Sequence, residues 1–135
     1  MNDKLSTSNR TQVESLPDVQ QMQHYVAIWR QRIAAQQAEA TRVAAQARLD
    51  AEQIAILLHE RFSATRVLLF GSLVKGGFAP GSDIDLAVTG IPKAEFFAAV
   101  AAANTLAHTW VDLKPLEDLH PHFRQRVLET GVDLL

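Results

Sequence analysis

Two aspartates in this chain stand where carboxylates do chemistry, and a third is placed to join them. Asp83 and Asp85 are separated by one residue and open the run Ile84-Asp85-Leu86-Ala87-Val88. Side chains alternate along a strand. A strand starting near Ser82 therefore puts both carboxylates on one face, with Cα atoms roughly 6.5–7 Å apart. Ile84, Leu86 and Val88 take the other face and go to the core. Like charges so placed repel and cost stability. The pair makes sense with divalent cations between the carboxylates, because Mg²⁺ prefers hard oxygen ligands and phosphate oxygens. Two such ions about 3.5–4 Å apart hold the attacking and leaving oxygens of an in-line phosphoryl or nucleotidyl displacement.

Upstream, Val67 to Phe70 is an unbroken apolar run that suits a strand buried on both faces. Gly71 ends it and, having no Cβ, lets another backbone or a phosphate chain come close. Ser72 adds a hydroxyl and an N–H at the mouth of the next turn. Lys75 is a point charge suited to phosphate. Gly76, Gly77, Pro80 and Gly81 punctuate the turn that follows. Further on, Trp110 to Leu113 reads as a short strand with Val111 and Leu113 inward and Asp112 outward. If it pairs beside the Asp83/Asp85 strand, the backbones lie about 4.8 Å apart and Asp112 completes a cluster of three carboxylates.

The order Gly-Ser, ten residues, Asp-x-Asp, set between two apolar strands, resembles the nucleotidyltransferase superfamily, which includes polymerase β and the kanamycin nucleotidyltransferases. The size of the chain points to the minimal nucleotidyltransferase (MNT) branch. The resemblance covers roughly residues 55–135. MNT domains typically carry their third Asp in a short strand, often as Val-Asp-Leu, and Val111-Asp112-Leu113 is similar. The resemblance implies that Asp83, Asp85 and Asp112 are catalytic residues and ligands of two Mg²⁺ ions. It implies that Gly71, Ser72, Lys75 and Ser82 bind nucleotide, with ATP as substrate. Many MNT domains read Gly-Ser-Arg-x-Arg-Gly, whereas here Leu73 and Lys75 replace the two arginines. Lysine neutralises a phosphate but cannot form the bidentate fork of arginine.

Stand-alone MNT domains resemble the antitoxin half of bacterial HEPN–MNT toxin–antitoxin modules. In that family the MNT protein transfers AMP to a tyrosine of the HEPN toxin, an RNase, and silences it. A Mg²⁺-dependent protein adenylyltransferase acting as antitoxin is the function this implies. Two rivals remain. One is a binding-only antitoxin with vestigial carboxylates. The other is a small-molecule nucleotidyltransferase of the aminoglycoside type.

Composition sets outer bounds. The 135 residues suffice for one domain with a core. Thirteen Lys and Arg against fifteen Asp and Glu give a formal charge of -2, which argues against bulk nucleic-acid binding. Without cysteine there is no disulfide framework and no thiolate metal site. The polar N-terminus lacks an apolar signal core, and no apolar run is long enough to span a bilayer. The expectation is a cytoplasmic protein.

The expected fold is α/β: a small mixed sheet of the polymerase-β-like kind, packed by helices and preceded by a long helical extension. Residues 1–14 are expected to form a disordered tail. Residues 15–53 form the helical extension and residues 54–135 the MNT domain. Ser15 can cap the first helix, Pro17 fits its first turn, and Asp18 suits the positive end of its dipole. From there to Phe62 there is no Gly or Pro. Met22, Val26, Trp29 and Ile33 fall at heptad-like spacing, continued by Ala40, Val43 and Ala47. Gln36 and Asp50 interrupt the stripe. An unbroken helix of this span is about 65 Å long, too long for a small domain to cover. It is either a solvated linker or a surface for self-association or partner docking, and the apolar Tyr25 and Trp29 favour docking.

Lys93 to His108 reads as a helix with Phe96, Val100, Ala103 and Ala107 on one face and Phe97 beside it. Pro121 to Thr130 reads as another, with Phe123 and Val127 inward. Gly131 caps it and residues 132–135 form an edge strand. His120 and His122 read as exposed residues of a helix start, and His24, His59 and His108 as surface or packing residues. Arg66 is read chiefly as a surface ion pair. Arg124 and Arg126 serve either a partner surface or the nucleotide.

Overall fold

The computed structural model describes Leu16 and residues 18–135. The expected tail, residues 1–14, and the expected roles of Ser15 and Pro17 lie outside the described residues. The chain divides into two compact units, Met1–Gln37 and Ala38–Leu135. One helix, α1 (Val19–Phe62), supplies residues to both.

Helix α1 forms because nothing in it breaks a helix. Its first turn is capped by Asp18, whose Oδ1 accepts the Gln21 N–H at 2.7 Å. It stops at Ser63, which takes a left-handed φ of 66°. There the Ala64 N–H donates to the Leu58 carbonyl at 3.0 Å. The Ala64 carbonyl in turn lies 2.8 Å from His59 Nδ1. A carbonyl only accepts, so Nδ1 carries the proton. In the first unit Met22, Val26, Trp29 and Ile33 are 43 to 64 % exposed, so the heptad-like stripe is uncovered there.

The second unit is built on a four-stranded sheet. Its strands are β1 (Arg66–Phe70), β2 (Ile84–Thr89), β3 (Val111–Pro115) and β4 (Val132–Asp133), in the order β3-β2-β1-β4. β1 pairs antiparallel with β2 and β4, whereas β2 and β3 are parallel. The sheet is mixed, as expected. Between the strands lie a short α2 (Ser72–Lys75), α3 (Phe96–Leu106) and α4 (Pro121–Thr130).

Alternation divides the sheet into two faces. Val67, Leu69, Ile84, Leu86, Val88, Val111 and Leu113 point to one, where Ala47, Ala51, Ile54 and Leu58 of α1 and Ala99 and Ala103 of α3 cover them. Leu68, Phe70 and Ala87 point to the other, under Val127 of α4 and Leu116 and Leu119. The small alanines let the helices lie close on the larger strand residues.

Several details depart from the sequence reading. Residues 72–75 are helical rather than a plain turn. The Lys93–His108 span begins as a 3-10 turn, Lys93–Glu95, before α3 starts at Phe96. The helix buries Ala99 and Ala103, and Phe97 lies outside that arc at 85 % exposure. Asp50, which breaks the stripe in sequence, is buried. It is satisfied there: Oδ2 accepts the His108 backbone N–H at 2.8 Å, Oδ1 accepts Gln46 Nε2 at 3.0 Å, and His108 Nδ1 lies 3.0 Å from Oδ1. A buried carboxylate with such partners ties α1 to the chain entering β3.

Candidate active site

Strand register brings the aspartates together. Asp85 on β2 stands opposite Asp112 on β3 and opposite Phe70 on β1. All three share the α4 face. Parallel neighbours lie about 4.8 Å apart, so the two carboxylates are adjacent. Asp83 precedes β2 and is exposed, while Asp85 and Asp112 are half-buried.

Hydrogen bonds from outside the sheet hold these positions. Asn104 of α3 brackets Val111: Oδ1 accepts its N–H at 2.8 Å and Nδ2 donates to its carbonyl at 3.2 Å. That fixes the residue before Asp112. Thr109 Oγ1 donates to the Ser82 carbonyl at 2.8 Å. Ser82 Oγ accepts the Ala79 N–H at 3.1 Å. Ser82 thus shapes the loop that delivers Asp83.

The electrostatics are those of crowded carboxylates. Burial, then the charges of Asp112 and Asp83, push the Asp85 carboxyl above its ordinary value, while Lys114 pulls the other way. Lys114 Nζ lies 3.5 Å from Asp112 Oδ2. Among the described residues no three His, Cys, Asp or Glu side chains gather tightly enough to cage an ion alone. The donors nevertheless fit Mg²⁺, which is typically held by one or two carboxylates with water and substrate phosphates completing its shell. A cation between the carboxylates offsets both the burial and the like charges that push the Asp85 carboxyl up.

Gly71 sets the approach on the β1 side. It has φ 77° and ψ -151°, a region that is essentially glycine's own. A Cβ there would overlap Asp85 Oδ2 and come within 3.0 Å of its Cγ. The glycine therefore keeps backbone and carboxylate in close approach. Ser72 opens α2, half-buried, and Lys75 closes it, exposed. Leu73, where many MNT domains carry arginine, is a core side chain here. Its carbonyl accepts Arg48 NH2 at 3.2 Å, which ties α2 to α1. An arginine at this position would point its charge into apolar packing.

A cleft of about 220 Å³ joins Gly71 and Asp85 to Lys75, Lys114 and Arg126. Lys114 was not singled out by sequence reasoning. Its signal was available, since Lys114 lies two residues after Asp112 and so shares its face. Three roomier clefts, about 280, 390 and 470 Å³, contain none of the three aspartates, so the donors, not the volume, locate the chemistry. Arg66 pairs with Asp133 at 3.1 Å. Arg124 donates to the carbonyls of Glu117 and Leu119, a structural role. The exposed rings of His120 and His122 stack at 5.7 Å. Their closeness was not foreseen, because the turn into α4 folds one ring over the other.

A Gly-Ser turn facing a row of aspartates on a mixed sheet defines a nucleotidyltransferase. Residues 52–135 match the family described as Polymerase beta, Nucleotidyltransferase, and the chain belongs to that family. Among solved structures it is similar to a protein assigned as a minimal nucleotidyltransferase, at 28 % identity and TM-score 0.55, over 63 % of this chain and 89 % of that one. It is also similar to a chain of a toxin–antitoxin crystal structure with AMP-PNP, at 25 % identity and TM-score 0.54, over 62 % of this chain and 72 % of that one. A chain of the toxin–antitoxin MntA–HepT shares the fold at 23 % identity and TM-score 0.51, over 65 % and 71 %. No curated protein matches the sequence significantly. Among the described residues no helix is long and apolar enough to cross a membrane.

Proposed function

We propose that this protein is the antitoxin of a toxin–antitoxin pair and transfers AMP from ATP to a tyrosine hydroxyl of a HEPN RNase toxin. The observation that carries nucleotidyl transfer is the pairing of Asp85 with Asp112 in register across β2 and β3, against the backbone of Gly71. A protein acceptor is supported by the likeness to the toxin–antitoxin structure with AMP-PNP.

Each residue has a task in this reading. Gly71 and Ser72 receive the triphosphate, with Lys75 as a counter-charge. Asp83, Asp85 and Asp112 would hold two Mg²⁺ ions, which when bound neutralise the attacking and leaving oxygens of the displacement. Asp112, at the edge of the row, accepts the proton of the acceptor hydroxyl. The hydroxyl oxygen bonds to the α-phosphorus as the bond to the β-phosphate bridging oxygen breaks, and pyrophosphate departs. Positioning and charge neutralisation do most of the catalysis. The uncovered stripe Met22, Val26, Trp29 and Ile33 serves the protein partner.

The test uses a candidate HEPN toxin with Mg²⁺ and ATP labelled at the α- or the γ-phosphate. The proposal expects α-label on the toxin, γ-label in pyrophosphate, and neither with the Asp83→Asn/Asp85→Asn double variant. The binding-only reading is favoured by Leu73 and Lys75 at the arginine positions. A double variant that still neutralises the toxin, without label transfer by the parent, would establish it.

A further inference from the structure

The Gly-Ser turn is short of cationic charge for a triphosphate, and the fold supplies it from elsewhere. Leu73 is in the core and Lys75 is the one cation of α2. Yet the cleft that begins at Gly71 and Asp85 is also lined by Lys114 of β3 and Arg126 of α4. Lys75, Lys114 and Arg126 come from three separate elements to line the one cleft. Asp85 in the lining and the Asp112 partner of Lys114 answer part of this charge, and a bound anion would answer the rest.

The two lysines and the arginine are not equivalent. Lys114 is engaged with Asp112. Arg126 makes no ion pair among the described residues. It is exposed on α4, one residue before the buried Val127 that seats the helix on the sheet. Its backbone is fixed, with the carbonyl accepting Thr130 Oγ1 at 2.6 Å. The guanidinium is thus carried on a firm element at the cleft and makes no ion pair among the described residues. Guanidinium is the group that takes two phosphate oxygens at once. Apolar Phe70 forms part of the wall, which lowers the local dielectric and strengthens charge pairing. The volume is below the roughly 300–1,000 Å³ of pockets that enclose a whole drug-sized ligand, and so suits a polyphosphate tail better than a nucleoside.

We infer that Arg126, in the lining of this cleft, grips the β- and γ-phosphates of the nucleoside triphosphate. It supplies from α4 the fork that the Gly-Ser turn lacks. Lys75, in the lining of the same cleft, assists. Arg126 is a binding and specificity residue: it distinguishes triphosphate from monophosphate. The inference rests on the nucleotidyltransferase reading of the site above.

The test is calorimetric titration of the full chain with Mg²⁺ and an ATP analogue whose α–β bridge is a methylene, compared with AMP. Loss of a charge-assisted contact is worth on the order of tenfold to a hundredfold in Kd. Arg126→Ala should weaken the analogue by that factor, leave AMP unchanged, and leave the melting temperature unchanged. Arg126→Lys should recover part of the loss. Arg66→Ala, which disturbs the pair with Asp133, serves as control and should leave both ligands unaffected. Equal analogue affinity in the parent and Arg126→Ala would overturn the role of Arg126 while sparing the active-site reading. A parent chain that binds no analogue at all would overturn both.

Discussion

The two faces of the sheet are made from the same strands and do opposite work. On the α1 face every inward residue of β1, β2 and β3 is apolar, from Val67 and Leu69 through Ile84, Leu86 and Val88 to Val111 and Leu113. On the α4 face the same strands carry Leu68, Phe70 and Ala87, but also Asp85 and Asp112 in register. One residue of phase separates the two sets. The lesson is that stability is concentrated on one face so that the other can hold crowded carboxylates. There burial, followed by the charges of Asp112 and Asp83, pushes the Asp85 carboxyl up.

Substitutions on the two faces should therefore separate stability from activity. The largest loss of stability is expected from Leu58→Ala. The side chain is fully buried on the α1 face, and such truncations cost about 2–5 kcal/mol. Chemical denaturation measures it, and nucleotide binding by the folded fraction should be unchanged. A loss below 1 kcal/mol would mean that α1 is not integral to the core.

Gly71→Ala tests the junction between the faces. The new Cβ meets Asp85 in a backbone region that alanine avoids, with a penalty on the order of 1–3 kcal/mol. Nucleotide binding should be lost along with that stability. Retained binding would show that the close approach of Gly71 and Asp85 is not used.

Asp85→Asn should have the opposite sign in the metal-free protein. A carboxyl whose value is raised on folding contributes stability that is fully present below its unfolded value. That contribution is lost as pH rises through the folded value. At neutral pH the metal-free parent should thus be no more stable than Asp85→Asn, and the gap should close on acidification. Melting curves against pH, without divalent cations, measure this. A variant markedly less stable than the parent at neutral pH would count against repulsion at the row. The smallest effect is expected from Arg66→Ala. Its pair with Asp133 is about half exposed on both sides, which is worth about 0–1 kcal/mol.

What the sequence disclosed follows the same division. Alternation in Ile84-Asp85-Leu86 and Val111-Asp112-Leu113 sufficed to put Asp85 and Asp112 on one face, because period-two patterning fixes a face once the strand is known, whereas Asp83 lies before β2. The strand order was not legible: the pairing of β3 beside β2 entered only as a condition, and the order β3-β2-β1-β4 depends on long-range packing. Asp50 was not legible: a charge in an apolar stripe reads as an interruption until its partners His108 and Gln46, the former far along the chain, are seen. The helix at Ser72–Lys75 was hidden because four residues carry too little periodicity. Arg126 could be named, but its place in the lining of the cleft that holds Asp85 depends on how α4 crosses β1, which local spacing does not encode. Leu73 looked like a lost arginine and is instead a core residue.

The most direct test of the central claim is anomalous diffraction from crystals grown with Mn²⁺ and a non-hydrolysable ATP analogue. Mn²⁺ takes the octahedral oxygen shell that Mg²⁺ prefers. The predicted result is Mn²⁺ peaks between the carboxylates of Asp83, Asp85 and Asp112, with the triphosphate running from Gly71 towards Arg126. Nucleotide bound elsewhere, or a carboxylate row without a Mn²⁺ peak at saturating ligand, would contradict it.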